Sequence, residues 1–400
     1  MGDVSSEFGP AGRRVVAGAF LVALYGWGFA FYGAGVHVAR LPAAEGWPVA
    51  TVSAAITAFY VLSGLAAAFV ADAFRQAGAR LVVGLGMLAL GGGSVLVAGA
   101  GDWPRFALGL LLLSAGWAAS GAAAINALVA PWFERRRGAA LSLALNGASM
   151  GGVVIGPLLL AAAERFGYAQ GTALVVVVAT VLLLPAALLL LPGAPPRPVP
   201  VQGSAVAQAR RALLAERRFW MVALPFALAM LAQVGLITQM ARVLSARMAP
   251  EAAALALALM TVAAIVGRLG LGLIVDRLDK RAVTAGLLAL QAAVIVCLAL
   301  LPLAPVAATT LLVVIFGLGV GNVITLPALV AQGEVPAVDY PRVIGLQVAV
   351  TQLTYAFGPA LLGLATTLGG DGAMLVLVAL IQATAIACVL LFRPGRRKGP

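Results

Sequence analysis

Arg268 is the residue of this chain best placed to do chemistry. It sits inside an apolar run, eight residues before the acid–base pair Asp276-Arg277. At 1.5 Å per helical residue that is about 12 Å from the end of the run. A guanidinium at such depth in hydrocarbon is costly unless it faces a watery passage or a partner. It can also grip a carboxylate through two parallel hydrogen bonds. Two readings follow: Arg268 meets an anionic solute, or it snorkels or pairs with a backbone carbonyl. Uncharged polar residues punctuate other apolar runs: Asn126, Asn146, Gln233, Gln239, Asn322, Gln347, Gln352 and Tyr355. In hydrocarbon each must find a hydrogen bond, so each lines a solute path or joins helices. Gln347, Thr351 and Tyr355, spaced by four, fall on one helix face, and Tyr25, Phe29 and Tyr32 do the same. His37 has the side chain that titrates nearest neutral pH. It is a candidate for proton coupling, or an interfacial residue bonded to water.

Other chemistries are poorly supplied. One histidine and two cysteines, Cys297 and Cys388 inside apolar runs, cannot assemble a metal cluster or a nucleophile–histidine–acid set, so no cofactor, metal or enzymatic activity is expected. No G-x-x-x-x-G-K-[ST] loop is present, which leaves an ion or solute gradient as the driving force. The run Gly317, Gly319, Gly321 lies within an apolar span rather than after a strand, so it is not a nucleotide loop.

The elements that must position these residues are transmembrane helices. The 400 residues are 62% hydrophobic and 10% charged, against roughly 25% charged in a soluble domain. Such a surface faces lipid. The formal charge of +12 would suggest nucleic acid in a soluble protein. Here the basic residues sit in short loops between apolar runs, so no nucleic-acid partner is expected. Spans are expected at 15–38, 49–71, 80–100, 105–130, 138–162, 168–191, 219–242, 251–275, 281–301, 305–330, 341–367 and 371–392, each near the 20 residues that cross a bilayer. The longest interruption, 193–218, opens with Pro195, Pro196, Pro198 and Pro200 and continues with Arg210, Arg211, Arg217 and Arg218. It reads as a loop carrying a short interfacial helix. It divides the chain into a six-helix bundle at 1–192 and another at 219–400. With the N-terminus inside, 20 Lys and Arg lie on the inner side and 5 on the outer, which places both termini in the cytoplasm of a multi-pass cell-membrane protein.

The two halves resemble each other. Val70-Ala71-Asp72 matches Ile274-Val275-Asp276, Gly86-Met87-Leu88-Ala89-Leu90 matches Gly286-Leu287-Leu288-Ala289-Leu290, and Gly156-Pro157-Leu158-Leu159 matches Gly358-Pro359-Ala360-Leu361. The offsets, 204, 200 and 202, are about half the chain. Two parallel six-helix repeats with a solute site near the midplane form a known transporter architecture.

On these residues the chain resembles the major facilitator superfamily. Gly272 to Arg281 looks like that family's loop motif G-x-x-x-D-R-x-G-[RK]-R, with Asp279 in place of the second glycine. The first-half copy keeps Asp72, Arg75, Gly78 and Arg80 at altered spacing, with Ala68 for the first glycine. Within the superfamily the chain is similar to the monocarboxylate porters and oxalate–formate antiporters. The supporting residues are Gly46-Trp47, Trp132-Phe133 with Arg136-Arg137-Gly138, and Gly267-Arg268. Gly147, Gly151, Gly152 and Gly156 with Pro157 resemble the family's glycine-rich fifth helix, where small residues let helices approach closely.

The resemblance implies an all-α membrane protein of twelve transmembrane helices in two pseudo-symmetric six-helix bundles, acting as a monomer on a small-molecule solute in the lipid bilayer. It implies that Arg268 contacts an anionic substrate, and that Asp72, Asp276, Arg277 and Arg281 form a conformational latch. A solvated turn would explain the same loop residues. Ala264 stands where such porters often carry an acid, and the eleventh span has no lysine. One fixed positive charge suits a monoanion better than oxalate. The expected function is secondary transport of a monocarboxylate. An exporter of amphipathic drugs is the alternative on the same fold, and a non-transporting sensor or scaffold is the alternative from another class.

Overall fold

The computed structural model describes residues 7–193, 206–336 and 339–391. The described residues form helices and connecting turns, with no strand among them. The helices are α1 (Pro10–Val38), α2 (Val49–Ala67, bent by 54° into Val70–Ala77), α3 (Ala79–Ala98), α4 (Trp103–Val129), α5 (Arg137–Phe166) and α6 (Tyr168–Leu190). A short helix, Val206–Ala215, precedes α7 (Arg217–Ser245), α8 (Glu251–Arg277), α9 (Lys280–Leu300) and α10 (Val306–Glu334).

The final stretch, Tyr340–Leu391, has 52 residues, or about 78 Å of helix. That is more than twice the roughly 30 Å of a hydrocarbon core. It is broken at Gly369 and Gly370, where Gly370 takes a φ of +72°, a left-handed conformation open to glycine. The stretch is therefore two spans, α11 at 340–368 and α12 at 371–391, which brings the spans among the described residues to twelve. The expected linker at 193–218 is described only in part, since 194–205 lie outside the described residues.

Large apolar side chains point outward over much of the surface. On α6, Val177, Val181, Leu182 and Leu189 are all exposed. Water would not tolerate such a face, whereas lipid requires it.

The chain divides into two compact units, Met1–Val201 with Ile344–Ala349, and Gln202–Val343 with Val350–Pro400. Glycine seams hold each together. In the first unit, a Cβ on Gly151 of α5 would lie 2.6 Å from the Leu24 carbonyl oxygen and 2.7 Å from the Gly28 nitrogen of α1. In the second, a Cβ on Gly358 of α11 would lie 2.9 Å from the Leu231 carbonyl oxygen and 3.2 Å from the Gly235 nitrogen of α7. The two seams use the same atoms at an offset of 207 residues. Backbones this close admit no side chain. The structural counterpart of Gly358 is therefore Gly151, and the Gly-Pro match between Gly156 and Gly358 is out of register by five residues. Proximity between backbones, rather than the proline, sets the correspondence.

The first described residues are tied down. The Glu7 carboxylate accepts backbone N–H groups from Glu134, Arg135 and Arg136 at 3.0–3.2 Å, where α5 begins. An anion here meets unpaired amides and the positive end of the helix dipole. Phe8 packs on Phe133, with ring centroids 4.9 Å apart.

Candidate functional site

Two of the twelve helices are interrupted at equivalent glycines. α4 leaves helical geometry at Gly121, whose ψ is −168°, and α10 is interrupted in its hydrogen bonding at Gly321, 200 residues on, while keeping helical φ and ψ there. An interrupted helix exposes carbonyls that need donors, and such breaks commonly form solute sites in transporters. Of the predicted polar residues, Arg268, Asn322 and Gln233 bond to the backbone at the second.

In the second unit, α8 and α10 approach through glycine. A Cβ on Gly267 would overlap the Leu318 carbonyl, and one on Gly321 would lie 2.7 Å from the Ala264 carbonyl. This close approach delivers Arg268, 2% exposed, to the break, where its Nε donates to the Gly321 carbonyl at 2.9 Å. The pairing with a backbone carbonyl, one of the two expected readings, is thus present. It orients the guanidinium plane, whose two terminal nitrogens form the edge that pairs end-on with carboxylates. Asn322 follows the break and donates to the Leu318 carbonyl at 2.9 Å.

A chain of amides supports the break. Gln233 of α7 donates to the Val320 carbonyl at 3.2 Å, Gln291 of α9 to Gln233 at 3.1 Å, and Gln382 of α12 to Gln291 at 3.3 Å. All three are buried. Gly319 leaves room for Gln291, whose amide a Cβ would meet at 2.7 Å. Gln291 and Gln382 were not singled out from the sequence, although a glutamine inside an apolar run is a readable signal.

In the first unit, Gly26 of α1 lies against Ser120 beside the α4 break, and a Cβ there would be 2.8 Å from its Oγ. At this level α1 takes one π-helical turn, Trp27–Tyr32, a distortion frequent at functional sites. Trp27 meets Trp117 edge-on, with centroids 4.6 Å apart. The neighbours of Tyr25, Phe29 and Tyr32 diverge. The Tyr25 hydroxyl is 2.7 Å from Thr180 Oγ1 on α6 and packs over Gly91 of α3. Phe29 packs against Tyr25 with the rings tilted by 57° and their centroids 4.7 Å apart, while Tyr32 lies over Gly152 of α5. The wide π turn rotates Tyr32 off the face that regular helical spacing predicts.

Asn126 and Asn146 are buried, and each donates its amide to the carbonyl four residues earlier, Ala122 and Ser142, at 2.9 Å. Gln347, Thr351 and Tyr355 are buried on α11 at helical spacing. Gln239 accepts from Arg242 Nε at 3.2 Å, within a cluster where Arg242 also pairs with Asp371 and reaches Thr366. His37 is 2% exposed, with Nδ1 2.6 Å from the Tyr168 hydroxyl. That bond ties α1 to α6, and the nearby Arg40–Glu164 pair at 2.9 Å ties the continuation of α1 to α5.

The loop residues separate into different settings. Asp72 pairs with Arg75 on its own short helix. Arg277 is exposed and Asp276 half-buried. Lys280 Nζ donates to the Asp276 carbonyl at 3.0 Å. Asp279, the departure from the loop motif, caps α9 by accepting the Arg281 and Ala282 N–H groups at 2.9 and 3.2 Å. At the equivalent first-half position Gly78 turns the chain with φ of +82° instead. Arg281 is a hub: its Nε and one terminal nitrogen grip the two Glu334 oxygens, and it also donates to the Val389 and Met221 carbonyls at 3.0 and 3.2 Å. Glu334, absent from the predicted set, joins α10 to α9 through this pair.

The model of the family described as Major Facilitator Superfamily matches residues 19–338. No curated protein matches the chain by sequence. Among solved structures, the chain is similar to the Escherichia coli fucose:proton symporter FucP, with a TM-score of 0.72 at 17% identity over 95% of this chain and 99% of that one. It is also similar to the human organic anion transporter MFSD10 (TETRAN), with a TM-score of 0.70 at 17% identity over 94% of this chain and 99% of that one. At such identities the likeness shows the fold alone.

Proposed function

The chain belongs to the major facilitator superfamily and is a multi-pass secondary transporter, and from that premise we propose that it carries a small organic anion, a monocarboxylate, by alternating access. The observation that supports this is Arg268, a guanidinium 2% exposed and oriented through Nε at the α10 break. A buried cation held in one plane suits a carboxylate, which it can take in two parallel hydrogen bonds. The same burial gives a neutral amphipath nothing to gain from it. In this proposal Asn322, the residue after Gly321, hydrogen-bonds the same solute.

The loop residues Asp72, Asp276, Arg277 and Arg281 act in this proposal as the latch, with Arg281 as its fixed anchor through Glu334. Both termini lie in the cytoplasm, on the side with 20 of the 26 Lys and Arg. The working unit is the monomer.

Uptake of labelled monocarboxylates into proteoliposomes, with and without a pH gradient, tests the reading. Arg268→Gln should reduce carboxylate uptake by about 10- to 100-fold, the worth of hydrogen bonds to a charged group. Unchanged uptake in the variant, or no carboxylate uptake by the wild type, refutes it.

A further inference from the structure

The three buried glutamines of the second unit are joined in a fixed direction. A backbone carbonyl only accepts, so Gln233 must turn its Nε2 to the Val320 carbonyl. Gln291 likewise turns its Nε2 inward, where it also reaches the Phe316 carbonyl at 3.5 Å. Each amide oxygen is then left for the next donor. Gln233 Oε1 takes Gln291 Nε2 at 3.1 Å, and Gln291 Oε1 takes Gln382 Nε2 at 3.3 Å. The order of donors is thus set from α10 outward. It ends in a loss: Gln382 is 0% exposed, and its Oε1 has no hydrogen-bond partner among the described residues. An apolar side chain there would avoid that cost. Cohesion between helices does not account for such a relay.

The first unit supplies the comparison. The two halves correspond at offsets of 207 residues for α1 and α7, 204 for α2 and α8, and 200 for α3 and α9. These offsets set Gly26 where the second unit has Gln233, Gly64 where it has Arg268, and Gly91 where it has Gln291. The amides and the arginine are present together in one half and absent together in the other. The two interrupted helices differ in step. In α10 the carbonyls of Leu318, Val320 and Gly321 take donors from Asn322, Gln233 and Arg268, and Gly321 keeps a φ of −66° and a ψ of −26°. In α4, Gly121 leaves the helix with a ψ of −168°.

We propose that Gln233, Gln291 and Gln382 are positioning residues for Arg268. By pinning the Val320 carbonyl they hold the backbone that carries the Gly321 carbonyl, and with it the plane in which the guanidinium meets the solute. Glycine at 321 would otherwise leave that backbone free to turn. The proposal rests on the carboxylate reading of Arg268, and every residue in it belongs to the second unit.

The experiment measures KM and kcat for uptake of labelled acetate, propanoate and pyruvate into proteoliposomes. Gln291→Met and Gln382→Met keep the side-chain length and remove the bonds. Gln291→Met should raise KM about fivefold, the worth of one neutral hydrogen bond, at unchanged kcat. Gln382→Met, at the far end, should raise it less. Added to Arg268→Gln, neither should raise KM further, because no guanidinium is left to orient. Size exclusion and thermal unfolding check folding, and Gln382→Met carries the same cycle if Gln291→Met unfolds. An equal rise with and without Arg268 marks a structural brace and overturns the proposal. So do an unchanged KM in both variants, a fall in kcat alone, or loss of folding in both. The carboxylate reading survives those results wherever Arg268→Gln itself lowers uptake. No uptake of these acids by the wild type, or full uptake by Arg268→Gln, overturns that reading and this proposal with it.

Discussion

Replacing Arg281 with methionine should destabilise the protein more than replacing Arg281 and Glu334 together. The two side chains are 8% and 16% exposed, and the guanidinium meets both carboxylate oxygens and two further carbonyls, Val389 and Met221. Arg281→Met strands a largely buried carboxylate. Breaking a buried pair on one side costs about 3–5 kcal/mol, and Glu334→Leu alone should cost a similar amount by stranding the guanidinium. In the double variant no charge is left behind. What remains is two carbonyls without their donor, each a loss of about 1 kcal/mol. The double variant should thus lie about 2 kcal/mol down, above either single variant and far above the sum of the two. Equilibrium unfolding in mixed micelles across the four proteins measures the cycle. An additive double variant, or single variants within about 1 kcal/mol of wild type, would show that the hub is not the buried pair described here.

Gly147→Val should abolish stable folding, since a Cβ there overlaps the Phe20 carbonyl; detergent-solubilised yield and size-exclusion profile report it, and a monodisperse variant at normal yield would count against the α1–α5 seam. Glu7→Ala should cost about 1 kcal/mol by removing the acceptor for three backbone amides, and faster hydrogen exchange at residues 134–136 is the accompanying sign; unaltered exchange would exclude the tie.

The positions of the spans were legible because hydropathy is local. Runs of apolar residues end where charges begin, and the twelve predicted spans agree with the helices to within several residues. The depth of Arg268 was legible for the same reason, being a count of residues to Asp276. The partners of polar side chains were not, because a partner depends on how each helix is rotated against neighbours remote in sequence. Arg268 and Gly321 are 53 residues apart, as are Arg281 and Glu334. Asp279 departs from the loop motif in the sequence, and only the structure shows what it does, which is to cap α9.

Helical spacing puts Tyr25, Phe29 and Tyr32 on one face; Tyr25 and Phe29 do meet, but the π turn carries Tyr32 over to Gly152, because an added residue per turn rotates everything beyond it. The repeat shows the same division. Matching words located its two halves, but only the contact between backbones at Gly28–Gly151 and Gly235–Gly358 set the register. The sequence alone determined how many times the chain crosses the bilayer, since burying apolar side chains adds up residue by residue. Only the tertiary structure decided which buried polar group answers which, since a hydrogen bond requires two atoms within about 3 Å.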